Sequence, residues 1–291
     1  RIAVYDAERG WNRDQHLGME FYGDFGTFEV NLTFPEHFIV GATGVLQNRD
    51  QVLPPSLMAK LDIRNFKEKP WGESPSVIIP PSDRLKTWRY RAENVHDFAF
   101  IASPDFRIGT AEWDGIEIYS YAKEQHASGW QDAAEFTARL IESFSKRWGK
   151  FPYPKMIVSD VNSGMEYPML TADGGSSPTY YGLLAHEVGH NYFYAIVGSN
   201  ETYRALLDEG FTNFIAAEAM EDILGPNNNT YWDITGNWYE QTFYPEFGRK
   251  YYRNDLRYMR MSKSGYLENP LATHSKKFRE YREYRQVYYK G

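Results

Sequence analysis

His186 and His190 stand four residues apart with Glu187 between them. On an α-helix that spacing sets both imidazoles on one face, about one turn apart, within reach of a single metal ion. The chain has no cysteine, so a metal ligand here must be a histidine or a carboxylate. Glu209, in Leu206-Leu207-Asp208-Glu209-Gly210-Phe211, offers a third donor where a second helix should start. Two imidazoles and one carboxylate make a ligand set of the kind that holds a single catalytic Zn²⁺, with the remaining tetrahedral position kept for water. Glu187 is then free to take a proton from that water. An H-E-x-x-H tetrad also arises by chance, and an acidic residue at a helix start is an ordinary dipole partner. The combination is what points to chemistry.

Helices must carry these groups. The pattern predicts the metal-motif helix over 182–197, closed by Gly198. Gly189 in its interior costs ~1 kcal/mol relative to alanine, which implies a close-packed backbone behind the site. Phe211, Phe214, Ile215 and Ala219 keep helical spacing in a second helix from Asp208 to Met220. A third spans about 131–148, with Ala133, Phe136, Leu140, Ile141, Phe144 and Trp148 on one stripe and Gly149 as its cap. Strands are expected at 115–119, 155–158 and 164–168. The first hundred residues read as β-structure. Thr27 to Phe34 alternates apolar and polar side chains up to Pro35, and 86–92 alternates again. Ile39-Val40 and Val45-Leu46 flank Gly41 and Gly44 as short strands, 97–102 reads as a buried strand, and 65–83 as an exposed loop. The pattern changes near Ser103-Pro104-Asp105, dividing a β-rich part, 1–104, from a part at 105–291. Residues 225–229 read as a loop, and the polar, tyrosine-rich last sixty residues as largely helical.

Net charge is −7 with both signs interspersed, and the absence of a basic block disfavours nucleic acid as a partner. No apolar run approaches the ~20 residues of a membrane span. The chain begins Arg1-Ile2-Ala3, without an initiator methionine or signal peptide, and is expected to be a processed or cut product. Lack of cysteine is compatible with an oxidising compartment, a weak lean towards a periplasmic or secreted setting. Aromatic residues make up 17% of the chain, enough for a dense core with some left to line a cleft. Asn-x-Thr sequons at Asn31, Asn200 and Asn228 matter only in a eukaryotic secretory setting.

Four features together resemble the gluzincin zinc aminopeptidase family, which includes the leukotriene-hydrolysing and aminopeptidase N-like enzymes. They are His186-Glu187-x-x-His190, the block Asp208-Glu209-Gly210-Phe211, Gly164-Met165-Glu166 (similar to the family's G-x-M-E-N strand), and Tyr288-Tyr289-Lys290-Gly291 (similar to its Y-x-K-G). Asn269-Pro270-Leu271-Ala272-Thr273 resembles the family's approach to that tyrosine, and the similarity covers most of 95–291. Three departures stand out. Asp208 replaces the family's usual asparagine, and Tyr167 replaces the asparagine after the glutamate. Ala216 stands where many members carry a glutamate behind a zinc-bound histidine, with Glu218 the nearest acidic residue in sequence.

The resemblance implies an α+β protein: a β-rich N-terminal domain, then a thermolysin-like, mainly helical catalytic domain that is C-terminally incomplete. It implies hydrolysis of the N-terminal peptide bond of peptides with a free N-terminus. His186, His190 and Glu209 would hold the zinc, Glu187 would be the general base, and the Tyr288 hydroxyl would meet the oxyanion. Glu166, on a strand with Gly164 and Met165, would pair with the cationic α-amino group. Two alternatives remain open: a zinc endopeptidase or epoxide-type hydrolase with the same metal set, and a non-catalytic interaction domain of the same fold. Oligomeric state is not indicated.

Overall fold

A short hairpin, β1 (Tyr5–Asp6) and β2 (Gly10–Trp11), precedes β3 (Gly26–Pro35) in the computed structural model of the protein, which describes residues 4–13, 22–225, 256–264, 269–278 and 280–290. Gly291 of the terminal motif, the sequon at Asn228 and residues 226–229 lie outside the described residues.

Alternation drives the N-terminal half. Along β3, half-buried and exposed side chains take turns, as a strand with one wet face requires. β4 (Ile39–Ala42) and β5 (Val45–Leu46) follow, joined through Gly44 at φ +86°, where a Cβ would meet the Arg91 carbonyl. β6 (Leu85–Val95) lies between β3 and β5 in an antiparallel sheet, and β7 (Phe100–Ser103) pairs with β4.

One expectation for this half needs correction. The buried strand at 97–102 is shorter and later, because the Asp97 carboxylate takes the Phe98 amide (2.7 Å) out of the ladder; Phe100 is exposed. Between β5 and β6 lie two helices that alternation does not indicate, α1 (Arg49–Val52) and α2 (Pro55–Leu61). The loop expected at 65–83 is largely exposed, with none of its residues buried, yet it is tethered at two points. Lys69 Nζ and the amide and hydroxyl of Ser76 all donate to the carboxylate of Glu124, which is fully buried against Arg107.

The central sheet has the order β11-β12-β10-β9-β8. Its strands are β8 (Phe106–Trp113), β9 (Ile116–Lys123), β10 (Lys155–Asp160), β11 (Met165–Tyr167) and β12 (Leu170–Asp173). β10 runs parallel to β9 and β12, while β8 and β11 are antiparallel edges. α3 (Ala133–Trp148) covers one face. Its stripe is buried through Phe144, and Trp148 at the last turn is exposed, edge to face with Phe214. Gly149 closes it at φ +109°.

The metal-motif helix is shorter than its pattern suggests. α4 (Tyr181–Gly189) gives way to a wide π-helical turn, Asn191–Ile196, in which Phe193 leaves helical geometry. α5 (Glu201–Ala205) leads into a second wide turn, Leu206–Gly210, and then α6 (Phe211–Leu224). α6 buries Thr212, Ile215, Ala216, Ala219 and Met220, whereas Phe211 and Phe214 face outward. Small side chains win that face because α4 lies close: a Cβ on Gly189 would stand 3.2 Å from Thr212 Cγ2 and 3.5 Å from Ile215 Cδ1. α7 (Leu256–Lys263), α8 (Tyr281–Tyr284) and α9 (Gln286–Tyr289) complete the described helices; none among the described residues is long and apolar enough to cross a membrane.

The sheet joins two apolar clusters. Ile116, Ile118, Met156 and Val158 pack with residues of α3, α4 and α6. Ile108, Tyr121, Ile157 and Leu170 pack with Ile39, Leu61 and Trp88 of the N-terminal half. The protein is thus a mixed α/β structure with a β-rich N-terminal part.

Candidate metal centre

α4 ends at the site. His186 lies in its last turn and His190 directly follows it, so helical rise stacks the two imidazoles. The wide turn at Leu206–Gly210 brings Glu209 to them. His186 Nε2 is 3.1 Å from Glu209 Oε2 and 3.2 Å from His190 Nε2, and His190 Nε2 is 3.6 Å from Glu209 Oε2. Ligands about 2.0–2.1 Å from a tetrahedral Zn²⁺ stand about 3.3–3.4 Å apart. The three donors therefore form one face of such a tetrahedron.

Their surroundings suit a cation. Glu166, Glu187, Asp208 and Glu209 are all buried around the two buried histidines, and buried carboxylates need compensation by opposite charge. Burial opposes charge on Glu209, yet hydrogen bonds from His186 and His190 hold its pKa below the ordinary carboxylate range. Burial likewise opposes charge on His190, and the carboxylates of Asp208 and Glu166 outweigh it, raising its pKa well above the ordinary imidazole value.

The Nδ1–H of His190 donates to Asp208 Oδ1, with Thr212 Oγ1 3.2 Å from the same nitrogen. That contact orients the ring and turns Nε2 towards His186 and Glu209, where it could serve a metal once deprotonated. Sequence proximity suggests Glu218 as the group behind a ligand; it instead pairs with Arg147 at 2.8 Å, turned away, while Ala216 is buried. In the sequence Asp208 shows only as a departure from a pattern. Its one clue is a carboxylate directly beside a ligand.

Glu187 and Glu166 each place a carboxylate oxygen within 4.8 Å of one another and of a His190 ring nitrogen. Glu166 sits on β11, the edge strand, beside half-buried Met165. Gly164 just before it faces Glu187, and a Cβ there would stand 3.0 Å from Glu187 Oε1. Tyr288, on α9, donates its hydroxyl to Glu209 Oε1 and stacks on His186 at 6.0 Å. Asn213 of α6 ties α9 down by donating to the Tyr288 carbonyl at 2.8 Å. At the other end of α4, Asp132 accepts from Tyr180, Tyr181 and Ser177, clamping α4 to the start of α3. No sequence pattern marks that clamp.

Neither a scan against protein-family models nor a search of curated proteins gives a match. Solved structures do. The chain is similar to an M1 zinc metallopeptidase from Deinococcus radiodurans (TM-score 0.60, 14% identity), with 92% of this chain and 51% of that one covered. Similar too are two-domain M1 zinc metallopeptidase variants bound to L-tryptophan and to L-arginine, each at TM-score 0.58 and 92% and 51% coverage, with identities of 14% and 15%. The chain spans about half the length of these structures. Over most of its own length it has the fold of the M1 zinc metallopeptidases.

Proposed function

We propose that the protein is a zinc aminopeptidase of the gluzincin type, with residues 105–291 forming a thermolysin-like catalytic domain behind a β-rich domain at 1–104. The observation that carries this reading is the donor triangle of His186, His190 and Glu209, with edges of 3.1, 3.2 and 3.6 Å. Bound there, Zn²⁺ supplies Lewis acidity towards the scissile carbonyl and an attacking water.

The chain's own groups do the rest. Glu187, beside the triangle but outside it, accepts the water proton and passes it to the leaving amine. The Tyr288 hydroxyl, now on Glu209 Oε1, turns to the oxyanion as charge develops there. Glu166 pairs with the substrate's α-ammonium group and so counts one residue from the chain start. β11, at the end of its sheet among the described residues, lets a peptide lie alongside as an added strand, with Gly164 admitting its backbone next to Glu187. Similar structures that hold single amino acids fit a pocket for a free α-amino group.

Amino-acid p-nitroanilides and their N-acetylated counterparts test this. Cleavage of the free-amine series alone is expected, with the preference weakened at least tenfold in Glu166→Gln. Cleavage of blocked peptides only would assign the site to an endopeptidase. A zinc-loaded protein inert on both series would leave an interaction domain.

A further inference from the structure

The central sheet has a second face. Side chains alternate along a strand, so while Met156 and Val158 meet the helices, Ile157 turns to the N-terminal half. Lys155 shares the phase of Ile157, and its register partner in β9 is Glu117. Lys155 is only 5% exposed. Its Nζ donates to the Ala42 carbonyl at the end of β4 and lies 5.5 Å from the centroid of the Tyr90 ring. Lys155 borders a cavity of about 200 Å³, whose walls include Tyr90, Tyr119, Tyr121, Met58 and Arg49. None of the metal-site residues lines it.

A methionine in place of Lys155 would fill the same space without burying an amine. Burial pushes the Lys155 pKa down to about 7, with Glu117 the charge that opposes the shift. At pH 7 about half of such amines are neutral, against about one in 2,500 for an ordinary lysine. A neutral, desolvated lysine in an apolar pocket is the nucleophile of Schiff-base chemistry. The other titratable groups facing the cavity are Glu117, Tyr119 and Tyr121 of β9, Arg49 of α1 and Tyr90 of β6. Arg49 is taken up by Glu117 at 2.8 Å, and burial keeps the three phenols protonated to high pH.

We propose that Lys155 is a covalent binding site for small apolar aldehydes, held in the tyrosine-walled cavity on the sheet face opposite the metal centre. The Nζ lone pair bonds to the aldehyde carbon and the carbonyl π pair moves to oxygen, which takes one N–H proton. The hydroxyl then leaves with the second N–H proton as water while C=N forms. No oxidant or reductant enters, and water reverses the step. A volume near 200 Å³, roughly seven water volumes, admits one ring or a short chain.

Benzaldehyde with sodium cyanoborohydride, which traps the imine as a secondary amine, reads this out by peptide mapping. At pH 7 Lys155 is expected to label saturably and at least tenfold faster than exposed lysines. Its labelling changes little from pH 7 to 9, while that of surface lysines rises about tenfold per pH unit. Met58→Trp, which fills the cavity and leaves the amine in place, is expected to abolish labelling at Lys155 alone. With circular dichroism showing both proteins folded, an unlabelled Lys155 in the wild type overturns the proposal. Equally fast labelling in Met58→Trp also overturns it.

Discussion

The Asp208 carboxylate contacts His190 Nδ1, so on the proposed reading it would act on a metal through that imidazole, and its contribution is separable from that of the ligands. Asp208→Asn keeps the shape and loses the charge behind the imidazole. It is expected to weaken zinc binding about 10–100-fold, measured by competition with a chromophoric chelator. Glu187→Gln should behave in the opposite way: zinc stays bound while turnover on a free-amine anilide falls about 10²–10⁴-fold. A comparable loss of zinc in both variants would remove the distinction between ligand support and proton transfer. Tyr288→Phe should cost about 10²–10³ in turnover with little change in KM. At this scale the nearness of His186 and His190 was legible in the sequence, because helical periodicity alone puts them on one face; that Glu209 lies beside them was suggested only by its sequence block and the resemblance. Asp208 as the partner of His190 was not legible, since that pairing depends on how the wide turn at Leu206–Gly210 aims two adjacent carboxylates.

Between elements, the site depends on α4 and α6 lying close. Gly189 is the contact point, and its place inside a helix already signals close approach. Gly189→Val drives branched carbons towards Thr212 and Ile215. It is expected to cost about 1–3 kcal/mol of stability by chemical denaturation, and to loosen zinc, because Thr212 also touches His190. Phe211 and Phe214, which keep helical spacing in the sequence, lie on the outer side of α6, a consequence of the same closeness: helices meeting at a glycine leave room for alanine, not phenylalanine. Periodicity also could not show where α4 widens into a π-turn, because a change of helical pitch leaves no mark in the apolar pattern. Nor did composition reveal that a proline- and serine-rich stretch is tied to a buried Arg107–Glu124 pair. Glu124→Ala leaves the Arg107 charge buried and unmatched, and should cost about 3–5 kcal/mol while opening residues 67–83 to proteolysis.

On the scale of the whole molecule, one sheet serves two halves, and its buried ionisable groups set the pH response. Burial lifts the Asp173 carboxyl to about 7 against hydrogen bonds from Thr171 and Ser159, from an ordinary value of about 3.9. Between those values the folded protein keeps a proton that the unfolded chain has released, so stability falls as pH rises from about 4 to 7. Thermal melts across that window should show Asp173→Asn flattening a slope of roughly 1.4 kcal/mol per pH unit. The alternating strands of the β-rich N-terminal part were legible because each buries one face with a fixed period. The apolar cluster that runs from Ile39 to Leu170 across the sheet was not, since contacts between distant segments leave no local pattern. Zinc K-edge X-ray absorption on the zinc-loaded protein tests the metal centre most directly. Two imidazole nitrogens and carboxylate or water oxygens at about 2.0–2.1 Å, with one imidazole lost in His190→Ala, are expected. An all-oxygen shell, unchanged in that variant, would contradict a centre built from His186, His190 and Glu209.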